Sequence, residues 1–431
     1  MHFKLIYKNN IIGRFLNAVT ALFLVLNCQS VWQKSLDKNY HIYEICFVLI
    51  VLNALYTTFV AYRTNKVSIY AIKVSIIYLI LISIILVLSV SQENIIRFLS
   101  RFLVFPLFMF YFRSNISEKD KLGLFFWFAN WAAIIAWISN IFWLLSTLGI
   151  IGETSTVNID WFGRYGSYYG LYFSSPYQCI DWLGSGIRRN IGIFTEGPMF
   201  MYVLVMSLVF MDLISEYYEI KKWKIIGIFF ALVTIASVTG YIIVLFLAGM
   251  KLMHVFKRRR TQIFLGMIAS IFFVIGALVF LSLKQDTASY LARFDDYLAG
   301  LKCWLNSPLY GNGYENLDLV RTYMSNSRSW NQGFSNTIFS ILAYGGVLFL
   351  MVYFIPTSRG IYLGIKKSDY KLFQFSVTIL LLYFTVISYT FYINFAIWAF
   401  LMCKYQRCNM KNKGKLDGKF CSRNHFFNFE L

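Results

Sequence analysis

VSIIYLILISIILVLSV, residues 74–90, contains no charged side chain, and the apolar segment around it runs from residue 68 to residue 90. A helix needs about 20 apolar residues to cross the hydrocarbon core of a bilayer. It also satisfies its own backbone polar groups, which lipid cannot do. The segment therefore predicts a membrane-spanning helix.

Apolar segments of this kind recur along the whole chain. Of its 431 residues, 58% are hydrophobic and 19% are aromatic, above the values of soluble domains. We expect an all-α, polytopic membrane protein with about twelve transmembrane helices in a single integral membrane domain, residues 1–431. The pairs within 222–256 and 372–405 allow a different division. The predicted spans are 11–29, 42–61, 68–90, 97–112, 121–150, 196–214, 222–238, 239–256, 261–283, 334–356, 372–388 and 390–405.

The distribution of basic residues predicts the orientation of these spans. With both termini in the cytoplasm, the inside segments hold 28 of the 40 Lys and Arg residues, and residues 406–431 form a basic cytoplasmic tail. Cytoplasmic loops of membrane proteins carry such an excess. The formal net charge of +20 is thus explained by topology and anionic lipid, and no nucleic-acid partner is expected.

Two long connections lie outside in this topology, at 151–195 and 284–333, and we expect both to contain short helices. Loops of this length are usually functional or disordered. The first is rich in aromatic residues, which favours a folded surface that faces a ligand, because aromatic rings stack on sugar rings. Tyr165, Tyr168 and Tyr169 are its candidate substrate contacts. The alternative is an aromatic belt at the membrane interface.

The first loop ends in RRNIGIFTEGP, residues 188–198, which places Arg188, Arg189 and Glu196 where the loop meets the next span. Arginine pairs bidentately with phosphate and stays charged in any environment. The cluster therefore predicts an anionic substrate held in the membrane. The dipole at the start of the next helix favours an anionic Glu196, although a capping or Arg-paired structural role fits equally well.

The second loop begins with an amphipathic helical pattern that carries a further arginine. Apolar residues recur at helical spacing around Arg293, at Leu291, Phe294, Leu298 and Leu301. Asp295 and Asp296 lie two and three residues after Arg293 in the same pattern. Arg293 is thus a second candidate phosphate ligand, and its alternative role is a salt bridge to Asp295 or Asp296.

Four segments in the second half of the chain resemble the O-antigen polymerase and ligase family of bacterial membrane glycosyltransferases. They are Arg189–Pro198, Ala236–Gly240, Arg293 with Pro308–Tyr314, and Ser335–Gly346. The resemblance implies a GT-C-like fold in the bacterial cytoplasmic membrane, and metal-independent glycosyl transfer without a cofactor. It implies undecaprenyl-diphosphate-linked oligosaccharide repeat units as substrates, and a chain-length regulator as a possible partner. Arg188 or Arg189, and Arg293, would be the functional arginines.

One departure from the family favours a polymerase over a ligase. In the ligase branch a His precedes the Asn of the last segment, whereas here Ser335 precedes Asn336. Asn336 remains a candidate sugar or phosphate contact. The alternatives to a polymerase are a ligase and a transporter of lipid-linked oligosaccharides. Transporters are typically built from inverted repeats with broken helices at the bilayer centre, whereas the polar residues here concentrate in two outer loops.

The reaction needs a base for the acceptor hydroxyl and cations for the departing diphosphate. Histidine is nearly excluded, because only His41 of the four lies outside, in a short early loop. Glu196 is the preferred base, with Asp295 and Asp296 as alternatives. No Asp-x-Asp pair occurs in the sequence, so no metal site is predicted and arginine is expected to supply the charge.

Overall fold

A computed structural model of the chain describes residues 11–63, 69–115, 117–159, 163–180, 187–255, 288–328 and 333–404. The predicted span 261–283 and the basic tail 406–431 lie outside these residues. In chain order the helices are Ile11–Leu26 (α1), Val31–Lys34 (α2), Ile42–Arg63 (α3), Ile69–Ser89 (α4), Ile95–Phe102 (α5), Val104–Ser114 (α6), Glu118–Lys121 (α7), Gly123–Thr147 (α8), Gly197–Ile214 (α9), Lys222–Ile235 (α10), Val238–Val255 (α11), Ala288–Asn306 (α12), Leu317–Arg321 (α13), Thr337–Lys366 (α14), Tyr370–Thr385 (α15) and Tyr392–Cys403 (α16).

Six segments of the described chain are long and apolar enough to cross a membrane, against the twelve or so expected. The difference arises mainly from shorter apolar helices, among them α1, α15 and α16. The predicted pair within 222–256 is divided at Ala236, whose φ of 53° ends α10. The six candidate spans are Ile42–Tyr62, Ile69–Ser89, Gln92–Ser114, Gly123–Thr147, Gly197–Ile214 and Thr337–Lys366.

Helix α4 shows how the apolar segments are used. It buries Tyr78, Ile82 and Ile85, while Ile80 and Val87 on its other face are exposed. A soluble monomer rarely exposes an apolar surface of this extent. In lipid such a surface carries no penalty, which agrees with a membrane-spanning helix.

Helix α9 lies at the centre of the helix packing. Of its candidate span, 83% is buried inside the protein. The Phe210 ring stacks on that of Phe125 in α8, with centroids 4.3 Å apart. Because α9 is enclosed by other helices, the residues at its first turn are held in a fixed position.

The connections between helices collect at two opposite ends of the molecule. At one end the amide of Val31 donates to Ile193 O (2.8 Å), and Tyr392 N donates to the side chain of Asn27 (2.8 Å). At the other end Lys371 pairs with Glu216 at 2.9 Å. We name these the loop end (27–41, 149–159, 187–196, 307–316, 386–391) and the opposite end (117–122, 215–222, 367–371). Among the described connections, 117–122, 215–222 and 367–371 join helices at the opposite end, and each is followed or preceded by a connection at the loop end.

The described part of the first loop is a sheet and not the short helices expected of it. Its antiparallel strands follow the order β1–β2–β3, with Thr156 opposite Gly166 and Ser167 opposite Phe173. Tyr, Thr and Val favour strands because they pack well on a pleated surface. The turn after β2 has positive φ at Tyr169 (55°). The strands are Ser155–Ile159 (β1), Gly163–Tyr168 (β2) and Tyr172–Ser174 (β3).

Candidate functional site

Glu196 lies at the start of α9, at the loop end. It occupies the N-cap position with extended backbone (φ −147°, ψ 153°), and its side chain makes no capping hydrogen bond. Its carboxylate lies close to the Tyr165 hydroxyl, which donates to Thr195 O at 2.7 Å. Burial raises the pKa of Tyr165, and the negative charge of Glu196 raises it further. Glu196 is therefore a partly buried carboxyl group beside a neutral phenol.

Gln178 connects Arg189 to the residues on both sides of Glu196. The Arg189 amide donates to Gln178 O (2.8 Å), and its Nε donates to Cys179 O (3.1 Å). The Gln178 side chain donates to Thr195 O (3.1 Å) and accepts from Gly197 N (3.0 Å). Arg189 and Glu196 are thus positioned by one shared set of hydrogen bonds.

Arg188 is held in a different environment from Arg189. Its Nη1 lies 2.6 Å from Glu153 Oε1 and 2.8 Å from Ser174 Oγ. Burial opposes the charged guanidinium, but the hydrogen bond and charge of Glu153 outweigh it and raise the pKa of Arg188. Arg188 fastens the end of the loop to its sheet, whereas Arg189 is linked through Gln178 to the residues that flank Glu196.

Asn190 fixes the backbone between the two arginines and Glu196. It is fully buried and accepts from Ser139 Oγ (2.6 Å), while its Nδ2 donates to Thr234 Oγ1 (3.0 Å). Gly192 follows with φ 60°, and a Cβ there would lie 2.9 Å from Ser139 Oγ. Only glycine fits this turn, because it combines a left-handed backbone with close packing.

The three candidate tyrosines differ in exposure. Tyr165 is fully buried and Tyr168 is 6% exposed, whereas Tyr169 is 68% exposed. The Tyr168 ring packs against that of Tyr172, with centroids 5.4 Å apart. Only Tyr169 of the three presents its ring to a ligand outside the sheet.

Asp295 and Asp296 pair with Arg328, which the sequence did not single out. Arg328 is 4% exposed, Asp296 is 1% exposed, and Nη1 of Arg328 donates to Asp296 Oδ1. Burial raises the pKa of Asp296, opposed by hydrogen bonds from Ser335 and Arg328. Ser335 N donates to Asp296 Oδ2 at 2.9 Å, so this pair joins α12 to the start of α14.

Arg293 makes no ion pair with Asp295 or Asp296 in the described structure, although that was its alternative role. Its Nη1 donates to Thr385 O, 3.2 Å away, at the end of α15. Asn336 is fully buried and caps α14, because its Oδ1 accepts from Phe339 N at 2.9 Å. These contacts place Arg293 and Asn336 at the same end of the helices as Glu196.

A second charged cluster, which the sequence did not predict, also lies at the loop end. Arg101 on α5 donates to Glu315 and to the Tyr314 hydroxyl, and Arg97 lies 3.2 Å from the other oxygen of Glu315. Tyr389 donates to Glu315 at 3.0 Å. The only signal in the sequence is the pair of arginines four residues apart in an apolar segment.

The structure brings the family-like segments together in pairs. Asn190 N donates to Thr234 O at 3.2 Å, two residues before the segment Ala236–Gly240. Val347 N donates to Pro308 O at 2.9 Å, and Asn312 N donates to Ala343 O at 2.8 Å. Segments that are distant in sequence therefore form two contacting pairs at one end of the molecule.

No family model, curated protein or solved structure matches this chain. The chemistry of the site thus follows from its own residues. Among the described residues, no group of three or more His, Cys, Asp or Glu is arranged to hold a metal ion.

Proposed function

We propose that this protein is a glycosyltransferase that polymerises polyprenyl-diphosphate-linked oligosaccharide repeat units into O-antigen or capsular polysaccharide. The observation that carries the proposal is the joint anchoring of Arg189 and Glu196 through Gln178 at the start of α9. A cation and a carboxylate in fixed positions, at the end of membrane-length helices, suit a substrate with a lipid tail and a charged head.

In this reaction a hydroxyl of one lipid-linked repeat attacks the reducing-end carbon of a glycan on a second lipid. The bond from that carbon to the diphosphate breaks, and the polyprenyl diphosphate leaves with the electron pair. Glu196 accepts the proton of the attacking hydroxyl. Arg189 stabilises the charge that grows on the diphosphate, with Arg293 as the second cation. A fixed cation stabilises the transition state without reorganising during the reaction.

The proposal includes a location and an orientation. The protein lies in the bacterial cytoplasmic membrane with both termini in the cytoplasm, and the loop end faces outward. Lipid-linked repeats then reach the site from the outer leaflet, and a chain-length regulator can bind at the same face. The excess of Lys and Arg in the segments assigned to the inside supports this orientation.

The test uses a strain that lacks its own polymerase and is complemented with this chain. Long polysaccharide is expected as a ladder on a gel. The ladder should be lost in Arg189→Ala and Glu196→Gln, because removing one such group lowers a rate about 10²–10³-fold. Arg164→Ala is the control, since Arg164 is an exposed arginine on β2.

Three outcomes contradict the proposal. If Arg189→Ala and Glu196→Gln both produce ladders of normal length, this site does not catalyse polymerisation. If single repeats fail to reach the outer leaflet without this chain, the protein is a transporter of lipid-linked oligosaccharides. Transfer of a complete glycan to lipid A core, without growth in chain length, identifies a ligase.

A further inference from the structure

A polar cavity lies at the loop end, and helix α2 connects it to the segment that holds Arg189 and Glu196. Its volume is about 540 Å³. Val31 at the start of α2 bonds to Ile193, and Lys34 at its end lines the cavity. Helix α2 thus contacts both the cavity and the segment that ends at Glu196. The charged and aromatic residues that line it are Lys34, Tyr43, Glu44, Arg97, Arg101 and Glu315.

The two arginines of this cavity use only part of their hydrogen-bonding capacity. The bonds of Arg97 run from Nη1 to Asn94 Oδ1 (3.5 Å) and to Glu315 (3.2 Å). Those of Arg101 also leave from Nη1 alone, toward Tyr314 and Glu315. A guanidinium has five N–H donors in a planar fork. The Nε and Nη2 donors of both groups therefore make no hydrogen bond to the described residues.

Glu315 is an internal anion at the edge of this cavity. Burial raises the pKa of its carboxyl, but Arg101, Tyr389 and Arg97 outweigh burial and hold the pKa below its usual 4.5. Its backbone has φ 56°, a left-handed conformation that is unfavourable for a residue with a side chain. The carboxylate is held there against this cost by the two arginines.

The cavity is positioned to receive an anion from the membrane boundary. Arg97 is 60% exposed and Arg101 is 12% exposed, so the two span the cavity from its opening to its interior. Both lie within the candidate span Gln92–Ser114. Three cations line the cavity against two carboxylates. Phosphate oxygens suit such forks better than a single carboxylate does, because they offer more acceptors.

We propose that this cavity is an anion-binding site for a phosphate or diphosphate group, which Arg97 and Arg101 bind through the donors that Glu315 leaves unused. The bound anion competes with Glu315 for Arg97. The proposal uses neither Arg189 nor Glu196, so it holds or fails independently of the proposed polymerase activity.

The test measures binding of inorganic pyrophosphate to the purified full-length protein in detergent, by the shift in thermal unfolding at constant ionic strength. Arg97→Gln should weaken binding about tenfold, because it removes charged hydrogen bonds. Glu315→Gln should tighten binding about tenfold, because it removes the competing charge. Arg164→Gln, an exposed arginine outside the cavity, should bind like the wild type.

The opposite signs expected for Arg97→Gln and Glu315→Gln separate a ligand site from a general loss of fold. The proposal is overturned if the wild type does not bind pyrophosphate, or if all three variants bind it equally. Native mass spectrometry in phosphatidylcholine nanodiscs, with and without phosphatidic acid, shows whether the bound phosphate group belongs to a lipid or to a free anion. Retained phosphatidic acid that pyrophosphate displaces indicates a lipid headgroup, and pyrophosphate binding without such displacement indicates a free anion.

Discussion

Arg328 and Asp296 form a buried ion pair between α12 and the start of α14. Removing one partner of such a pair leaves an uncompensated charge, which costs about 3–5 kcal/mol. We therefore expect Arg328→Met to lower the free energy of unfolding by about this amount. Arg328 also donates to Ala292 O at 2.9 Å and to Gly333 O at 3.2 Å. The expected loss of stability therefore includes these hydrogen bonds as well as the ion pair. Thermal unfolding of the purified protein measures it.

Arg321 provides the matched control for this prediction. It pairs with Asp318 at 2.8 Å, and the two side chains are 42% and 90% exposed. Exposed pairs contribute at most about 1 kcal/mol. Arg321→Met should therefore change stability little. Equal losses in both variants would show that the burial of Arg328 does not determine its contribution.

The lowered pKa of Glu315 predicts how the stability of the protein depends on pH. The pKa of this carboxyl in the folded protein lies below the usual 4.5. The ionised carboxylate, paired with Arg101, therefore stabilises the folded protein above pH 4.5, and this stabilisation is lost as the pH falls through the folded pKa. At neutral pH, Glu315→Gln should unfold at a lower temperature than the wild type. This difference should narrow below pH 4.5. A difference that stays constant as the medium becomes acidic would contradict the assignment.

Helix α14 crosses the turn after α12 at a point where only glycine fits. Gly346 has φ 60° and ψ −155°, and a Cβ there would lie 2.5 Å from Leu309 C and 2.6 Å from Pro308 O. Both atoms belong to the backbone, so neither moves easily. Gly346→Ala should lower the free energy of unfolding by at least about 2 kcal/mol, from strain and overpacking together. Gly152→Ala is the control, since nothing lies within 4 Å of its Cβ position.

Sequence patterns predicted those elements whose cause is local. The apolar periodicity around Arg293 predicted a helix, and α12 runs through it as Ala288–Asn306. The predicted spans 222–238 and 239–256 place a break between helices close to Ala236, where φ 53° ends α10. The pairing of Arg101 with Glu315 was not predictable, because 214 residues separate the two. Partners so far apart in the sequence are brought together by helix packing, and the periodicity of apolar residues does not predict which helices pack against each other.

The first loop shows a second limit of sequence patterns. Short helices were expected there, yet Val157 and Tyr165 are partners in a sheet. Tyr165 is fully buried, and its hydroxyl reaches Thr195 O, 30 residues along the chain. An aromatic residue in a loop suits a sugar-binding surface and an internal anchor equally well. Only the three-dimensional arrangement shows that Tyr165 is an anchor and that Tyr169 is exposed.

At the scale of the whole molecule, two sets of connections lie at opposite ends of a helical body with apolar outer faces. Arg189, Glu196, Arg293 and Asn336 all belong to the loop end or to residues that contact it. Lys119, which accepts a hydrogen bond from Tyr218 at 2.9 Å, belongs to the opposite end. The proposed chemistry therefore requires the loop end to face the outside of the cell.

Cysteine labelling tests this orientation in intact cells. Ser325 is exposed near the loop end, and Glu219 is exposed at the opposite end. In a background without native cysteines, a membrane-impermeant maleimide should label Ser325→Cys in intact cells. It should label Glu219→Cys only after the cytoplasmic membrane is permeabilised. Ser167→Cys is unsuitable, because Ser167 is 2% exposed and would stay unlabelled in either orientation. If only Glu219→Cys is labelled in intact cells, the orientation is the opposite of the proposed one. Arg189 and Glu196 then lie on the cytoplasmic side, where the proposed outer-leaflet reaction has no substrate.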